Sequence, residues 1–377
     1  MRRKVVVGIS GGVDSAVSAL LLKKRGYEVT ALHMINWDPV EAGSADCPRS
    51  KDEADAREVC RKLQIPFHTC EFVKEYWNEV FMKFVDGYKN GRTVVPDIDC
   101  NSKIKFEHFH NVAVRKYGAE FIATGHYAST SNGDYQDGEN SDDIKLLSGM
   151  DPLKDQSFFL CSLKQHQLRR AMFPLGSLMK SQVKRIAEQE GLLTVAKKPE
   201  SMGICFVGKN RQFDSFVNQY IEESYGDVID ANSGAVIGRH DGIHHFTLGK
   251  RVSGKYLTRK SQLGFFVADV NTERNEVRVC EGSHHRSLYA TEFEMELPEW
   301  ICSSSVPIFD PSKTIEMKCR IQRTHPPVPC QVKRTAKGLQ VRPTVPLRAT
   351  APGQTCVFYD GRFCLGGGQI LRVVSHL

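Results

Sequence analysis

The sequence predicts an α/β protein: a doubly wound, Rossmann-like parallel sheet followed by a small β-rich central domain and a C-terminal β-barrel. Three observations carry that prediction. Strand-like and helix-like segments alternate through the first half, glycines close the first apolar run, and from about Gly226 the texture changes to short β-rich runs separated by Gly, Asn and His. A chain of 377 residues is long enough for two or three domains, and we place them at 1–205, 206–287 and 288–377.

The elements follow in order. Lys4 to Ser10 is an apolar run ending in glycines, and Ser15 to Arg25 sets Ala16, Ala19, Leu20 and Leu22 in a helical pattern that Gly26 stops. Tyr27 to Met34 reads as a second strand, Lys51 to Leu63 as a second helix and Pro66 to Phe72 as a third strand. Gly91 to Asn101, broken by Gly and Pro, reads as a loop leading into a helix from Lys103 to Tyr117, and Glu120 to Thr124 is another short buried strand. Asn132 to Asp143 has five acidic and no basic residues and reads as a solvated loop, with a helical region following from Phe158 to Glu190. Val228-Ile229, Ala235 to Ile237, Gly264 to Val270 and Glu276 to Cys280 are the β-rich runs of the middle. The proline-rich last part repeats that texture and reads as a small closed barrel.

Composition excludes several classes. The chain is 41% hydrophobic and 25% charged, and no stretch approaches the roughly 18 apolar residues of a helical membrane span. Net charge is +7, which permits a polyanionic partner without demanding one. None of the 12 cysteines is spaced as Cys-x-x-Cys, which argues against zinc ribbons, a dithiol redox motif and an iron–sulfur route. They read as reduced thiols, most of them core residues. Met1 to Lys4 is basic, but the apolar run after it ends in Ser-Gly-Gly and Asp14, so it is not the core of a signal peptide, and no Arg/Ser-rich transit segment is visible.

Ser10-Gly11-Gly12-Val13-Asp14-Ser15 lies where the first strand turns into the first helix. Two glycines let the backbone approach an anion, and Ser10, Ser15 and the helix-start N–H groups supply donors and a positive dipole end. The reading is a pyrophosphate cradle, with Asp14 beside it suited to a Mg²⁺ contact; the alternative is a glycine-rich turn with a serine cap. The P-loop pattern and Gly-x-Gly-x-x-Gly are both absent from this turn, which disfavours γ-phosphate transfer and dinucleotide redox chemistry. Cys100, just before a helix and near Lys103 and Lys105, is a candidate nucleophile. Cys205, in a short apolar run between Gly203 and Gly208, is another. Taken singly, each reads more readily as a buried structural cysteine than as a nucleophile. Between Pro311 and Thr350, nine basic residues (Lys313, Lys318, Arg320, Arg323, Lys333, Arg334, Lys337, Arg342, Arg348) face one acidic residue, Glu316. That segment reads either as a solvated basic face or as a phosphate-contacting surface.

Six runs, taken in order, carry a resemblance: Ser10 to Ser15; Asp97-x-x-Cys100-Asn101-x-x-Ile104-Lys105-Phe106; Thr124 to Tyr127; Lys154 to Gln156; Glu200 to Phe206; and Pro352 to Gln354. The cradle resembles the PP-loop ATP pyrophosphatases, and the six runs together resemble the tRNA 2-thiouridylase family (MnmA in bacteria) across nearly the whole chain. That resemblance implies ATP-dependent 2-thiolation of the wobble uridine in a tRNA anticodon stem-loop, with ATP and Mg²⁺ as cofactors, a persulfide donor or relay protein as partner, and no membrane. It implies that Cys205 receives persulfide sulfur, that Cys100 is its partner in a transient disulfide, and that Asp97 is the acid/base residue near the target base. Gly8, Ile9, Ser10, Gly11, Gly12, Val13, Asp14, Ser15, Met34 and Gly125 match the nucleotide site. Val95, Pro96, His126, Lys154, Asp155, Gln156, Arg320, Ile321 and Gln354 match positions facing tRNA, and the resemblance implies that the central domain, 206–287, contacts tRNA as well. Two departures stand out: Thr93-Val94-Val95-Pro96-Asp97 replaces Thr-Pro-Asn-Pro-Asp, and Asp99 replaces an apolar residue and puts a carboxylate beside Cys100. The Glu200-Ser201-Met202-Gly203 form looks closer to the mitochondrial branch, so a mitochondrial location is expected, with the bacterial cytoplasm as the alternative. The competing readings are a PP-loop synthetase that adenylates a small substrate and needs neither cysteine, and a non-catalytic tRNA-binding protein.

Overall fold

A computed structural model of the chain describes residues 2–37, 48–138, 143–199, 216–302, 310 and 312–377. In the first part, Lys4–Gly8 (β1), Glu28–Ile35 (β2), Phe67–Glu71 (β3) and Phe121–Ala123 (β4) are strands, Ala128–Thr130 (β5) and Leu146–Ser148 (β6) form a hairpin, and Ala171–Met172 (β7) is a short strand. The central sheet runs β3-β2-β1-β4-β7, and every pairing in it is parallel. Helices Val13–Lys24 (α1) and Pro48–Leu63 (α2) pack on one face of it. Strand alternation explains the two faces. Val5 and Val7 join Val17 and Leu20 in one core, while Val6 joins Ile104, Phe106 and Phe109 in the other. This is the doubly wound arrangement expected. Chain order reverses between β1 and β4, so the crevice beyond Gly8 and Ala123 is where such a fold places its ligand.

The local expectations need four corrections. The helix expected from Lys103 begins at Pro96: Pro96–Asp99 is α-helical, Cys100–His108 is π-helical and Phe109–Tyr117 is α-helical again. Pro96, read as a breaker, occupies the first helical turn, where its fixed φ suits the helix and no N–H is needed. The stretch 158–190 is not one helix; it contains β7 and the helix Lys180–Gln189. The acidic segment after Asn132 is not simply solvated, because Asn132, Tyr135 and Gln136 are buried, with Gln136 Nε2 donating to the carbonyls of Leu168 and Ala171. Finally, no alternation announced the hairpin β5 and β6, since its strands are three residues each.

The central unit is an antiparallel and parallel mixture of Gly226–Asp230, Val236–His240, Phe265–Asn271 and Glu276–Glu281. The C-terminal unit is a closed barrel, with Tyr289–Met295 pairing with Phe363–His376 to shut the sheet. The hairpin joins it as well: Leu147 of β6 pairs with Phe363. The N-terminal domain therefore lends two strands to the barrel's sheet. No helix among the described residues is long and apolar enough to cross a membrane.

Candidate functional site

The cradle is assembled from the end of β1 and the start of α1. Gly11 has φ +73°, and a Cβ there would lie 2.2 Å from the Asp52 carbonyl oxygen on α2, so backbone alone fits between the two elements. Gly12 caps α1 in extended conformation. Ser15 Oγ accepts from the Ser10 N–H at 3.1 Å and donates to the Gly12 carbonyl at 3.1 Å, which ties the loop into a ring. Gly125, after β4, presses on its outside: a Cβ there would stand 2.8 Å from the Ser15 nitrogen. Gly8 is flanked by the Met34 methyl, and a Cβ on it would be 3.3 Å from that carbon. Ile9 and Val13 are buried beneath the loop.

Two lysines that no spacing in the sequence connected to the loop complete it. Lys180 Nζ donates to both carboxylate oxygens of Asp14 at 2.7 Å, and Tyr127 Oη donates to the same carboxylate at 2.8 Å. Lys198 Nζ lies 3.1 Å from the Gly11 carbonyl and 2.7 and 2.6 Å from Asp52 and Asp55. Its burial opposes its charge, but the two carboxylates outweigh that and raise its pKa. Lys180 is separated from Asp14 by 166 positions, so only the fold could reveal the pair.

A second group of side chains lies on the other core face. Asp97 is half-buried, and burial raises its pKa, opposed by the nearby Lys105 ammonium. Lys105 Nζ donates to Asn101 Oδ1 at 2.8 Å, and Asn101 Nδ2 donates to the Phe159 carbonyl. His126, adjacent to Gly125, is fully enclosed; burial first and Lys105 second hold its pKa well below the ordinary value, so its imidazole is neutral. Its Nδ1 pairs with Thr124 Oγ1 at 2.8 Å. Cys100 is buried one turn into the helix. The unexpected Asp99 carboxylate turns to Lys83, 3.1 Å away. Val95 is half-buried at the N-cap and Pro96 is buried. The barrel holds this segment: the Thr93 N–H donates to the Pro352 carbonyl at 2.8 Å, and Gly353, with φ +87°, abuts Arg92. Gln354 is buried in the same turn, its Oε1 accepting from the Ala351 N–H.

Asp155 and Arg320 are brought together, but inside. Arg320 Nη2 meets Asp155 Oδ2 at 2.6 Å with 6% and 4% of the residues exposed, and the guanidinium also donates to Tyr359 Oη and, through Nη1, to the Arg323 carbonyl. The pair ties the N-terminal domain to the barrel rather than presenting a cation outward. Ile321 beside it is buried. Gln156 exchanges hydrogen bonds with the Tyr127 backbone, and Lys154 is half-buried on the same turn. Of the other basic residues expected between 311 and 350, Arg342 pairs with Glu292, Arg348 donates to the Ser283 and Gly249 carbonyls, and Arg323 to the Leu153 carbonyl. Cys205 and the run Glu200 to Phe206 lie outside the described residues. Among the described residues none of the ten cysteines is in a disulfide, and no group of three or more His, Cys, Asp or Glu side chains is arranged to hold a metal ion.

Comparison with known proteins agrees with this architecture. A family model described as the tRNA methyl transferase HUP domain matches residues 3–209, a PRC-barrel domain model of the same series matches 214–281, and an aminomethyltransferase beta-barrel domain model matches 290–370. The chain is 59% identical to the probable mitochondrial tRNA-specific 2-thiouridylase 1 of Caenorhabditis elegans, over 99% of this chain and 100% of that one. It is 40% identical to the mitochondrial tRNA-specific 2-thiouridylase 1 of Homo sapiens, covering 98% and 91%. It is 41% identical to the tRNA-specific 2-thiouridylase MnmA of Halalkalibacterium halodurans, covering 99% and 95%.

Proposed function

Because the chain belongs to the tRNA-specific 2-thiouridylase family, we propose that it replaces the O2 oxygen of the wobble uridine of tRNA with sulfur, using ATP. The observation that carries this reading is a short chain of neighbours: Gly125 packs on the cradle, and the next residue, His126, and Asp97 both lie within reach of the Lys105 ammonium. The relatives from Caenorhabditis elegans and Homo sapiens are named mitochondrial, and we propose that location for this protein, which agrees with the Glu200 to Gly203 form.

A uracil oxygen is a poor leaving group, so O2 first attacks the α-phosphorus of ATP and pyrophosphate departs. The residues fit that need: Gly11 and Gly12 let backbone N–H groups reach phosphate, and Lys180 and Lys198, on exchanging their carboxylate partners for phosphate, balance its charge. A magnesium ion arriving with ATP would offset further phosphate charge, and Asp14, once exchanged from Lys180, is the carboxylate that would meet it. Asp97, whose burial favours its protonated form, exchanges a proton with the base. The terminal sulfur of a persulfide on Cys205, loaded by a donor protein, then attacks C2 and AMP leaves with the oxygen. Cys100 thiolate attacks the Cys205 Sγ, the S–S bond to the transferred sulfur breaks, and a Cys100–Cys205 disulfide remains until an external thiol reduces it.

The test is incorporation of radiolabelled sulfur into tRNA with ATP and a persulfide donor. Wild type should label tRNA and release pyrophosphate. Cys205→Ser should bind tRNA and ATP yet carry no sulfur by mass spectrometry, while Cys100→Ser should load Cys205 but complete the reaction only with added reductant. Sulfur on Cys100 and none on Cys205 would reverse the roles, and undiminished labelling by the Cys205 variant would overturn the mechanism.

A further inference from the structure

We propose that Asp151 is a positioning residue for the nucleotide step: it fixes the start of the helix Lys180–Gln189, and through it the aim of Lys180 at the cradle. The inference rests on the reading of Asp14 and Lys180 as part of the ATP site. Asp151 is 5% exposed, and each of its carboxylate oxygens accepts from a backbone N–H. Oδ1 takes the Leu153 N–H at 3.0 Å and closes a local turn, while Oδ2 takes the Lys180 N–H at 2.9 Å, 29 positions along the chain. Lys180 is the first residue of its helix, and Met179 at the N-cap has no oxygen in its side chain to accept that N–H. A carboxylate from another part of the chain accepts it instead.

What the helix start carries explains why its place matters. Lys180 Nζ meets both oxygens of Asp14 at 2.7 Å, and the lysine side chain is only 11% exposed. A lysine so enclosed cannot swing freely toward phosphate, so the position of its backbone sets where the ammonium can go. Tyr127 Oη donates to the same carboxylate, and the Lys180 ammonium lies 5.7 Å from the centre of the Tyr127 ring. Tyr127 is set by the same stretch of chain as Lys180. Its N–H donates to Gln156 Oε1 at 3.0 Å, and its carbonyl accepts from the Gln156 N–H at 2.9 Å. The short run from Asp151 to Gln156 thus aims two donors that converge on Asp14.

The run itself is held on every side. The Lys154 and Asp155 N–H groups donate to the Asp151 carbonyl at 3.1 and 2.8 Å, and the Met150 N–H donates to the Gly176 carbonyl at 2.8 Å. Asp155 Oδ1 accepts from the Gly149 and Ser157 N–H groups at 3.0 and 3.1 Å, and its Oδ2 takes Arg320 of the barrel. A Cβ on Gly149 would lie 2.7 Å from the Tyr127 carbonyl oxygen, so the two segments run backbone against backbone. Rigidity of this kind is what a positioning role requires, because a donor held in place before charge develops is worth more than one ordered at that moment. A carboxylate that only capped the helix would make the same bonds, so the distinction lies in rates.

The experiment measures pyrophosphate release by the full chain with ATP, Mg²⁺ and unmodified tRNA, for wild type, Asp151→Asn, Lys180→Met and the double variant, beside their denaturant midpoints. In Asp151→Asn the one remaining oxygen stays with the nearer Leu153 N–H, and the Lys180 N–H loses its acceptor. There kcat should fall about tenfold while the KM for ATP changes less than about threefold, since a displaced donor costs most where charge develops. Lys180→Met should cost about a hundredfold in kcat. The double variant should be no slower than Lys180→Met alone, whereas Asp151→Asn should lower the midpoint equally with and without Lys180→Met, because the lost bond is to backbone. An unchanged kcat in Asp151→Asn, a loss confined to KM, or a double variant slowed about a thousandfold each overturns the proposal and leaves the functional reading intact. Wild type that releases no pyrophosphate overturns the functional reading itself. Should Asp151→Asn not fold at the assay temperature, Asp151→Ser, with one shorter acceptor, is read by the same cycle and the same outcomes.

Discussion

The glycine cradle and the Asp97–Cys100 helix belong to the same domain, yet they are built in opposite ways. The cradle is local: six consecutive residues make the ring in which Ser15 Oγ bridges the Ser10 N–H and the Gly12 carbonyl, and neighbouring elements only press on its outside. The helix segment is held from a distance. Thr93 is tied to Pro352, Asn101 to Phe159 and Asp99 to Lys83. A local device can be read from its motif and destroyed by one added carbon. A distributed one is tuned by residues that touch no substrate.

The largest effect expected is therefore at the cradle. Gly11→Val places its Cβ on the Asp52 carbonyl at a positive φ, and Gly125→Val pushes into the Ser15 nitrogen. Either should reduce pyrophosphate release about a thousandfold, the scale of losing pre-aimed donors, while circular dichroism shows the fold retained. Normal turnover would mean that the nucleotide sits elsewhere.

Next comes the join between the domains. Arg320→Met strands the Asp155 carboxylate inside the protein, and such a break costs about 3–5 kcal/mol, measured as a loss in denaturant midpoint. Adding Asp155→Asn should restore a large part of that. If Arg320 instead met phosphate and contributed little to the fold, the single variant would lose tRNA affinity with unchanged stability.

A smaller effect sharpens the distant support of the helix. Gly353→Ala, at φ +87° and facing Arg92, should shift the Asp97 segment by a fraction of an ångström. The rate of thiolation should fall about tenfold with ATP affinity unchanged, since slight misplacement of a reacting group is costly. Equal losses in both would mean that the two regions are not separable.

Asp97 gives the comparison a pH signature. Its carboxyl holds its proton to higher pH in the folded state than in the unfolded one, so this group lowers stability as pH rises from the ordinary carboxylate value toward the raised one, and the penalty is complete above it. Asp97→Asn should thus raise the melting temperature at pH 7 relative to wild type, with the difference vanishing below the unfolded pKa, even as thiolation is lost. A variant that melts lower at neutral pH would show Asp97 making stabilising bonds as the anion.

What the sequence made legible follows the same division. The parallel sheet could be read because Val5, Val6 and Val7 feed two cores and announce a strand buried on both faces. The cradle was legible because all its donors are adjacent in the chain. The start of the helix at Pro96 was not, because proline marks both a break and a first turn, and only the Val95 N-cap geometry distinguishes them. The burial of Arg320 was hidden too. A basic residue on an alternating strand reads as solvent-facing until its partner, 165 positions away, is placed opposite it. The same limit concealed Lys180 and Lys198.

The smallest expected effect concerns Asp99, the carboxylate that the sequence sets beside Cys100. Adjacent in the chain, the two residues leave the carboxylate within several ångströms of the thiol, and an isolated charge at that range would oppose thiolate formation by about 0.5–1 kcal/mol in a well-screened setting. Asp99 is not isolated: its Oδ1 takes the Lys83 ammonium at 3.1 Å, and the pair presents Cys100 with a dipole rather than a net charge. Replacement by leucine should accordingly change the alkylation rate of Cys100, followed by peptide mass spectrometry, less than about threefold. Lys83→Met should slow it more, because that variant leaves the carboxylate unbalanced. Stability should move by no more than about 1 kcal/mol in either, as for an exposed pair. A tenfold acceleration by Asp99→Leu would show that the carboxylate acts on the thiol directly, and the helix segment would then be governed by its own sequence, as the cradle is.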